Sequence, residues 1–217
     1  MRMRKKKNGQ ARIDACSELL IPCPPEGTQI QIASYFDENH PLHLEIGCGK
    51  GSFACGMAAK YPETNFIAME RISDVACLAL EKAKAQADLR PCDNLRFLIA
   101  DARNLASLFS PHIFDKIYLN FSDPWPKSGY HKRRLTYRDF LYQYRQLLLP
   151  GGLLQLKTDN DALFDFSLDE FEAAGLTLLW KTDDLHHSEY ADGNIMTEYE
   201  TNFSSLGLPI HAATVRF

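Results

Sequence analysis

"LHLEIGCGKGSF", residues 42–53, decides the fold. An apolar run ends in a turn with glycine at 47, 49 and 51, and helix-forming residues follow. Glycine alone enters left-handed backbone conformations without steric cost and lets the main chain approach a bound molecule, so the order is strand, tight ligand-facing turn, helix. The dinucleotide-binding spacing places its third glycine three residues after the second, a position held here by Ser52. A pyrophosphate-binding loop is thereby disfavoured.

Outward from this unit, strand-like runs bounded by turn residues stand at 65–70, 95–101, 115–121, 152–159, 176–180 and 211–217. Helical periodicity fills the gaps, most clearly over 73–88 with Ser73 and Asp74 as cap candidates, over 136–149 from Thr136, and over 162–174 before Gly175. Alternating strands and helices need right-handed crossovers, because each helix buries its apolar stripe on a sheet face. The expected fold is α/β and doubly wound: a largely parallel seven-stranded sheet with helices on both faces and the last strand antiparallel. In such sheets ligands sit beyond the carboxyl ends of the strands, so chemistry is expected in the loops after residues 46, 70, 101, 121 and 159.

A length of 217 residues with 45% hydrophobic content supports one core. A single domain over 21–217 is expected, preceded by a basic, flexible tail over 1–20. Six of the 24 Lys and Arg lie in the first 12 residues, which hold no acid, so the remaining 205 residues carry 18 bases against 28 acids. A second acid-free block at 127–138 contains Lys127, Lys132, Arg133, Arg134 and Arg138. Two local basic blocks on an acidic body fit contact with phosphates at defined places, not a protein that coats nucleic acid. Six cysteines without a Cys-x-x-Cys pair predict reduced, packed thiols, and no Cys or His grouping has zinc-ligand spacing, so no metal is expected. No apolar run reaches spanning length, and a cytoplasmic protein, monomer or homodimer, is expected.

Acids mark the strand ends. Glu70 closes the second strand of the 42–70 unit, where a carboxylate accepts both hydroxyls of a ribose, and Asp101 closes the next, within reach of an adenine amino group. Glu45 adds negative charge before the glycine turn. Asp101, followed by "ARNL", is also placed to cap a helix. Three acids around such a turn suit S-adenosylmethionine, which carries a sulfonium and an ammonium, better than a diphosphate.

Further on, "LNFSDPWPK" (119–127) joins an acid, a fixed turn and a flat aromatic, and "KRRLT" (132–136) supplies cations. Trp125 either plugs the core beneath this loop or stacks on a base. Together with "EIGCGKGSF", "LKTDN" (156–160) and "TEYE" (197–200), these motifs resemble the bacterial tRNA (guanine-N7)-methyltransferases, a branch of the class I S-adenosylmethionine-dependent methyltransferases, from about residue 40 to 210.

The resemblance implies that Glu45, Glu70, Asp101 and Asp123 line the cofactor site beside Gly47, Gly49 and Gly51, and that Lys127, Asp159 and the segment Thr197, Glu198, Tyr199 and Glu200 meet the nucleotide. Guanine presents two donors on its Watson–Crick edge, which one carboxylate accepts together, and Asp159 and Glu200 are the candidates for that readout. Asp123 is assigned an orienting and electrostatic role toward the charge that develops on the base. Lys132, Arg133 and Arg134 are expected on the tRNA backbone. Between "DPWPK" and "KRRL" the family has further basic residues where this chain has Ser128, Gly129, Tyr130 and His131, which makes Tyr130 a candidate for stacking on RNA. The alternatives are methylation of another RNA base, a non-catalytic RNA-binding partner and a nicotinamide-dependent oxidoreductase.

Overall fold

The computed structural model describes residues 7–88 and 93–217 and divides into two units, Met1–Ser110 and Pro111–Phe217. In the first, helix α1 (Gly9–Asp14) leads to a two-residue strand β1 (Leu20–Ile21), then β2 (Leu42–Ile46), α2 (Ser52–Lys60), β3 (Asn65–Glu70), α3 (Ser73–Ala87), β4 (Leu95–Ile99) and the single-turn α4 (Leu105–Leu108). Its strands run β1-β4-β3-β2, every pairing parallel. Leu44, Ile67 and Ala68 are fully buried, as expected where helices cover both faces of parallel strands.

The second unit contains β5 (Phe114–Asn120), α5 (Arg138–Leu147), β6 (Leu148–Thr158), α6 (Asp161–Ala173), β7 (Thr177–Thr182), α7 (Glu198–Ser205) and β8 (His211–Arg216). Here the order is β5-β6-β8-β7: β5 and β6 are parallel, and β8 is antiparallel to both of its neighbours. All seven expected strands are found, the last one antiparallel, and the short β1 is an eighth among the described residues. β6 starts four residues before the expected run, at Leu148, and crosses Pro150 and Gly151 on the way.

Cap chemistry departs from expectation in two helices. The N-cap of α3 is Ile72, and no side chain caps it. Thr136, expected to open α5, is buried and accepts the Ser167 hydroxyl at 2.8 Å instead. The Asn160 side chain does cap α6, accepting the Leu163 N–H at 2.8 Å.

The tail expected to be loose over 1–20 is packed from Gly9 onward. α1 lies on α3 with Ile13 buried, and Arg12 grips Glu81 through two 2.6 Å hydrogen bonds. The apolar Ile13, Cys16 and Leu19 are buried; α3 packs against α1, and both α3 and β4 pack against the short turn Ser17–Leu19. Arg2, Arg4, Lys5 and Lys6 of the first basic block lie outside the described residues.

Candidate active site

The glycine turn after β2 is built by short backbone bonds. Gly47 N–H and Cys48 N–H both donate to the Met69 carbonyl, at 2.8 and 2.9 Å, and Gly51 N–H donates to Cys48 at 2.9 Å. All three glycines have positive φ: 80° at Gly47, 58° at Gly49 and 81° at Gly51. Their reasons differ. A Cβ at Gly47 or Gly49 would meet nothing within 4 Å, which leaves the turn open to a ligand, whereas a Cβ at Gly51 would stand 2.9 Å from Ala79 Cβ. Gly51 lets α2 begin close against α3, and Gly47 and Gly49 form a cradle.

Glu70, at the tip of β3, holds this cradle. One carboxylate oxygen accepts Gly49 N–H at 3.2 Å and the other accepts Ile72 N–H at 2.8 Å, leaving further lone pairs for a ligand. Glu45 is buried just before the turn. Burial pushes the Cys48 thiol well up, and Glu45 and Glu70 push it further, so it stays a neutral packed group.

Asp101 takes the helix-capping option. It accepts Arg103 N–H at 2.9 Å and the Arg103 guanidinium through both oxygens, at 3.0 and 2.8 Å, which holds the carboxyl below its usual range. A fork–fork pair of this kind competes with any ligand for the same oxygens.

In the second unit the loop after β5 carries backbone strain. Phe121 and Trp125, on either side of Asp123, have φ of 53° and 40°, a region that non-glycine residues enter at a cost of about 1–3 kcal/mol each. The loop is clamped from both ends. Phe121 N–H donates to the Lys157 carbonyl at 2.8 Å, and Arg134 donates through Nε to Pro124 O at 2.8 Å and through its Nη2 to Trp125 O at 3.4 Å. Asp123 is thereby held exposed at the crest.

Arg134 was expected on RNA, but it is 5% exposed and its guanidinium lies 4.3 Å from the Phe166 ring. It is part of the loop's foundation. Arg133 and Lys132 remain at the surface, with the Arg133 guanidinium 4.8 Å from the Trp125 ring and 4.6 Å from that of Tyr130. Two aromatic planes fix one cation in place. Trp125 is half-buried and packs edge-on against Tyr130 at 6.0 Å, so it both seats the loop and shows a face. Lys127 is exposed.

The "TEYE" segment splits into inward and outward parts. Thr197 caps α7 in a capping box with Glu200: its hydroxyl accepts Glu200 N–H at 2.9 Å, and the Glu200 carboxylate accepts Thr197 N–H at 3.3 Å. Glu200, expected to read guanine, has no exposed surface. It meets the Lys157 ammonium at 2.6 Å, Asn194 Nδ2 at 2.7 Å and His186 Nε2 at 3.1 Å. With both oxygens engaged inside the fold, it is a structural acid and not a surface reader. Tyr199, by contrast, points out, stacked on Phe203 at 4.4 Å and tilted against Phe121 at 5.1 Å, and its hydroxyl reaches Asp159 at 3.4 Å. Asp159, just beyond the end of β6, is half-buried, so of the two acids it is the one that keeps some exposed surface. Glu198 is half-buried in the first turn of α7. Among the described residues no group of His, Cys, Asp and Glu is arranged to hold a metal ion, and no helix is long and apolar enough to cross a membrane.

A glycine cradle after the first long parallel strand, buttressed by an acid at the next strand tip, within an α/β fold closed by antiparallel strands, defines a class I S-adenosylmethionine-dependent methyltransferase. The fold agrees with that of a solved 16S rRNA methyltransferase, KamB, at a TM-score of 0.61 and 16% identity, over 88% of this chain and 97% of that one. A family model described as "Putative methyltransferase" matches residues 39–213. The chain is 48% identical to a tRNA (guanine-N(7)-)-methyltransferase of Lachnoclostridium phytofermentans over 86% of each sequence, and 42% identical over the full length of both to one of Streptococcus equi subsp. zooepidemicus. It belongs to the tRNA (guanine-N7)-methyltransferase family.

Proposed function

We propose that this protein transfers the methyl group of S-adenosylmethionine to N7 of a guanine in the variable loop of tRNA, in the cytoplasm. The observation that carries the reading is its likeness, over the full length of both chains, to a tRNA (guanine-N(7)-)-methyltransferase. When bound, the donor supplies an activated methyl group: the N7 lone pair forms the new N–C bond as the C–S bond breaks, the electron pair passes to sulfur, and the positive charge passes to the purine.

What the chain contributes follows from its own residues. Gly47 and Gly49 bring bare backbone to the donor, and Glu45 and Glu70 offer negative charge to its cationic end. N7 holds no proton at neutral pH, so alignment matters and a general base does not. Asp123, exposed on a strained and clamped crest, orients the base and stabilises its developing charge. Asp159 accepts the two donors of the guanine edge, and an adenine there would turn a lone pair toward a lone pair. Lys127, Lys132 and Arg133 take phosphates.

The test incubates the protein with labelled donor and unmodified tRNA, then maps borohydride- and aniline-induced scission. Cuts at a variable-loop guanine are expected. Label without such cuts would move the reaction to another atom or base.

A further inference from the structure

Lys157 is one residue before the end of β6 and two before Asp159. No part of its side chain is exposed. A buried ammonium is costly unless it is paired and hydrogen-bonded, and here three acceptors meet it: Glu200 at 2.6 Å, the Ile195 carbonyl at 2.9 Å and Asn194 Oδ1 at 3.0 Å. All three belong to the segment 194–200, some 40 residues away in sequence. Glu200, the anionic partner, is drawn as tightly by the same segment, through Asn194 and the Thr197 capping box. The main chain of Lys157 adds a further tie, since its carbonyl accepts Phe121 N–H at the base of the Asp123 loop.

We propose that Lys157 is a positioning residue for methyl transfer. Its ammonium fixes the 194–200 segment, and with it Tyr199, against Asp159 at the strand tip, while its carbonyl fixes the start of the Asp123 loop. The role given to Asp159 and Asp123 rests on the function proposed above; the tie itself does not. Removing Lys157 alone leaves the buried Glu200 carboxylate without its ammonium partner, which is strongly destabilising, whereas replacing both charges by apolar residues of similar volume is often neutral or better for stability. An apolar pair cannot, however, bond the Ile195 carbonyl or Asn194.

The double variant Lys157→Met/Glu200→Met therefore separates stability from positioning. Its melting temperature is expected at or above the parent's, with donor binding in calorimetry within twofold. Backbone amides of 194–200 are expected to exchange with deuterium at least tenfold faster, and kcat on tRNA to fall at least twentyfold with KM for tRNA within threefold. A folded double variant with parental exchange and kcat within twofold of the parent overturns the proposal. If that variant does not fold, Asn194→Ala decides alone, since it removes an acceptor of Lys157 and a donor to Glu200 without stranding a charge. Faster exchange across 195–200 and a kcat lowered about fivefold are expected, and parental values of both overturn the proposal. The exchange readout does not depend on activity, so a parent protein that fails to methylate guanine N7 would sink the assigned function and still leave the tie tested.

Discussion

Arg134 Nε donates to the carbonyl of Pro124 at 2.8 Å, so the third cation of "KRR" lies folded beneath the Asp-Pro-Trp loop it was expected to flank. Lys132 and Arg133, its neighbours in sequence, stay at the surface. Adjacent cations thus differ in placement, one buried under the loop and two at the surface.

That division is measurable. Arg134→Ala removes two backbone hydrogen bonds and the packing on Phe166, and is expected to cost about 2–3 kcal/mol of stability without altering the salt slope of tRNA binding. Lys132→Ala and Arg133→Ala should each lower that slope by about 1 while leaving melting almost unchanged. Anisotropy titrations across a salt series, with melting curves alongside, check both; a reduced slope for Arg134→Ala would return it to the RNA surface.

The two proposed site acids should fail differently. Asp159→Asn puts a donor where guanine also has donors, and kcat/KM for tRNA is expected to fall by roughly a hundredfold, with donor affinity in calorimetry unaffected. Asp123→Asn should slow single-turnover transfer by more than tenfold at saturating tRNA. Transfer within a few-fold of normal would refute the charge role.

Glycines 49 and 51 separate into ligand approach and packing. Gly51→Ala drives a methyl to 2.9 Å from Ala79 Cβ at a φ of 81°, and about 2–4 kcal/mol of lost stability is expected, seen as a melting point lower by about 5–12 °C. Gly49→Ala meets no neighbour, so its smaller loss in melting should accompany a larger loss of donor affinity. Equal effects on both measurements for the two variants would contradict this division.

Lys116 on β5 gives a pH signature. Burial lowers its pKa from the usual 10.5 to about 8, with the ammonium 4.8 Å from the Tyr118 ring. Between pH 8 and 10.5 the unfolded chain holds a proton here that the folded one has lost, so this residue makes stability rise with pH across that window and lowers it below pH 8. Lys116→Met is expected to gain roughly 1–3 kcal/mol at pH 7 and to flatten the rise, as denaturant titrations at pH 7, 8, 9 and 10 would report. An unchanged difference from the parent at all four values would show that the ammonium is solvated in the fold.

Much of the site was legible in order along the chain. "EIGCGKGSF" signalled the turn because glycine spacing is a local property of backbone sterics, Glu70 stands where its strand ends, and Asp123 stands in the loop that follows β5. Asp101 showed the limit of that logic: strand end and helix cap are one position, and the choice was settled by Arg103, whose guanidinium reaches back to take both oxygens. The packed α1 was hidden for a related reason, since six cations in twelve residues outweigh one apolar stripe until α3 is present to receive Ile13.

By itself, then, the sequence determined the alternation of strands and helices, the open glycine turn and the acids at the strand tips, all of which follow from steric and hydrophobic patterns a few residues long. The tertiary structure alone decided which charges face inward: Glu200 and Lys157 are 43 residues apart, and Arg134 differs from Arg133 by no local feature. A side chain's charge is written in its type, whereas its partner and its solvent depend on which distant segment the fold brings against it.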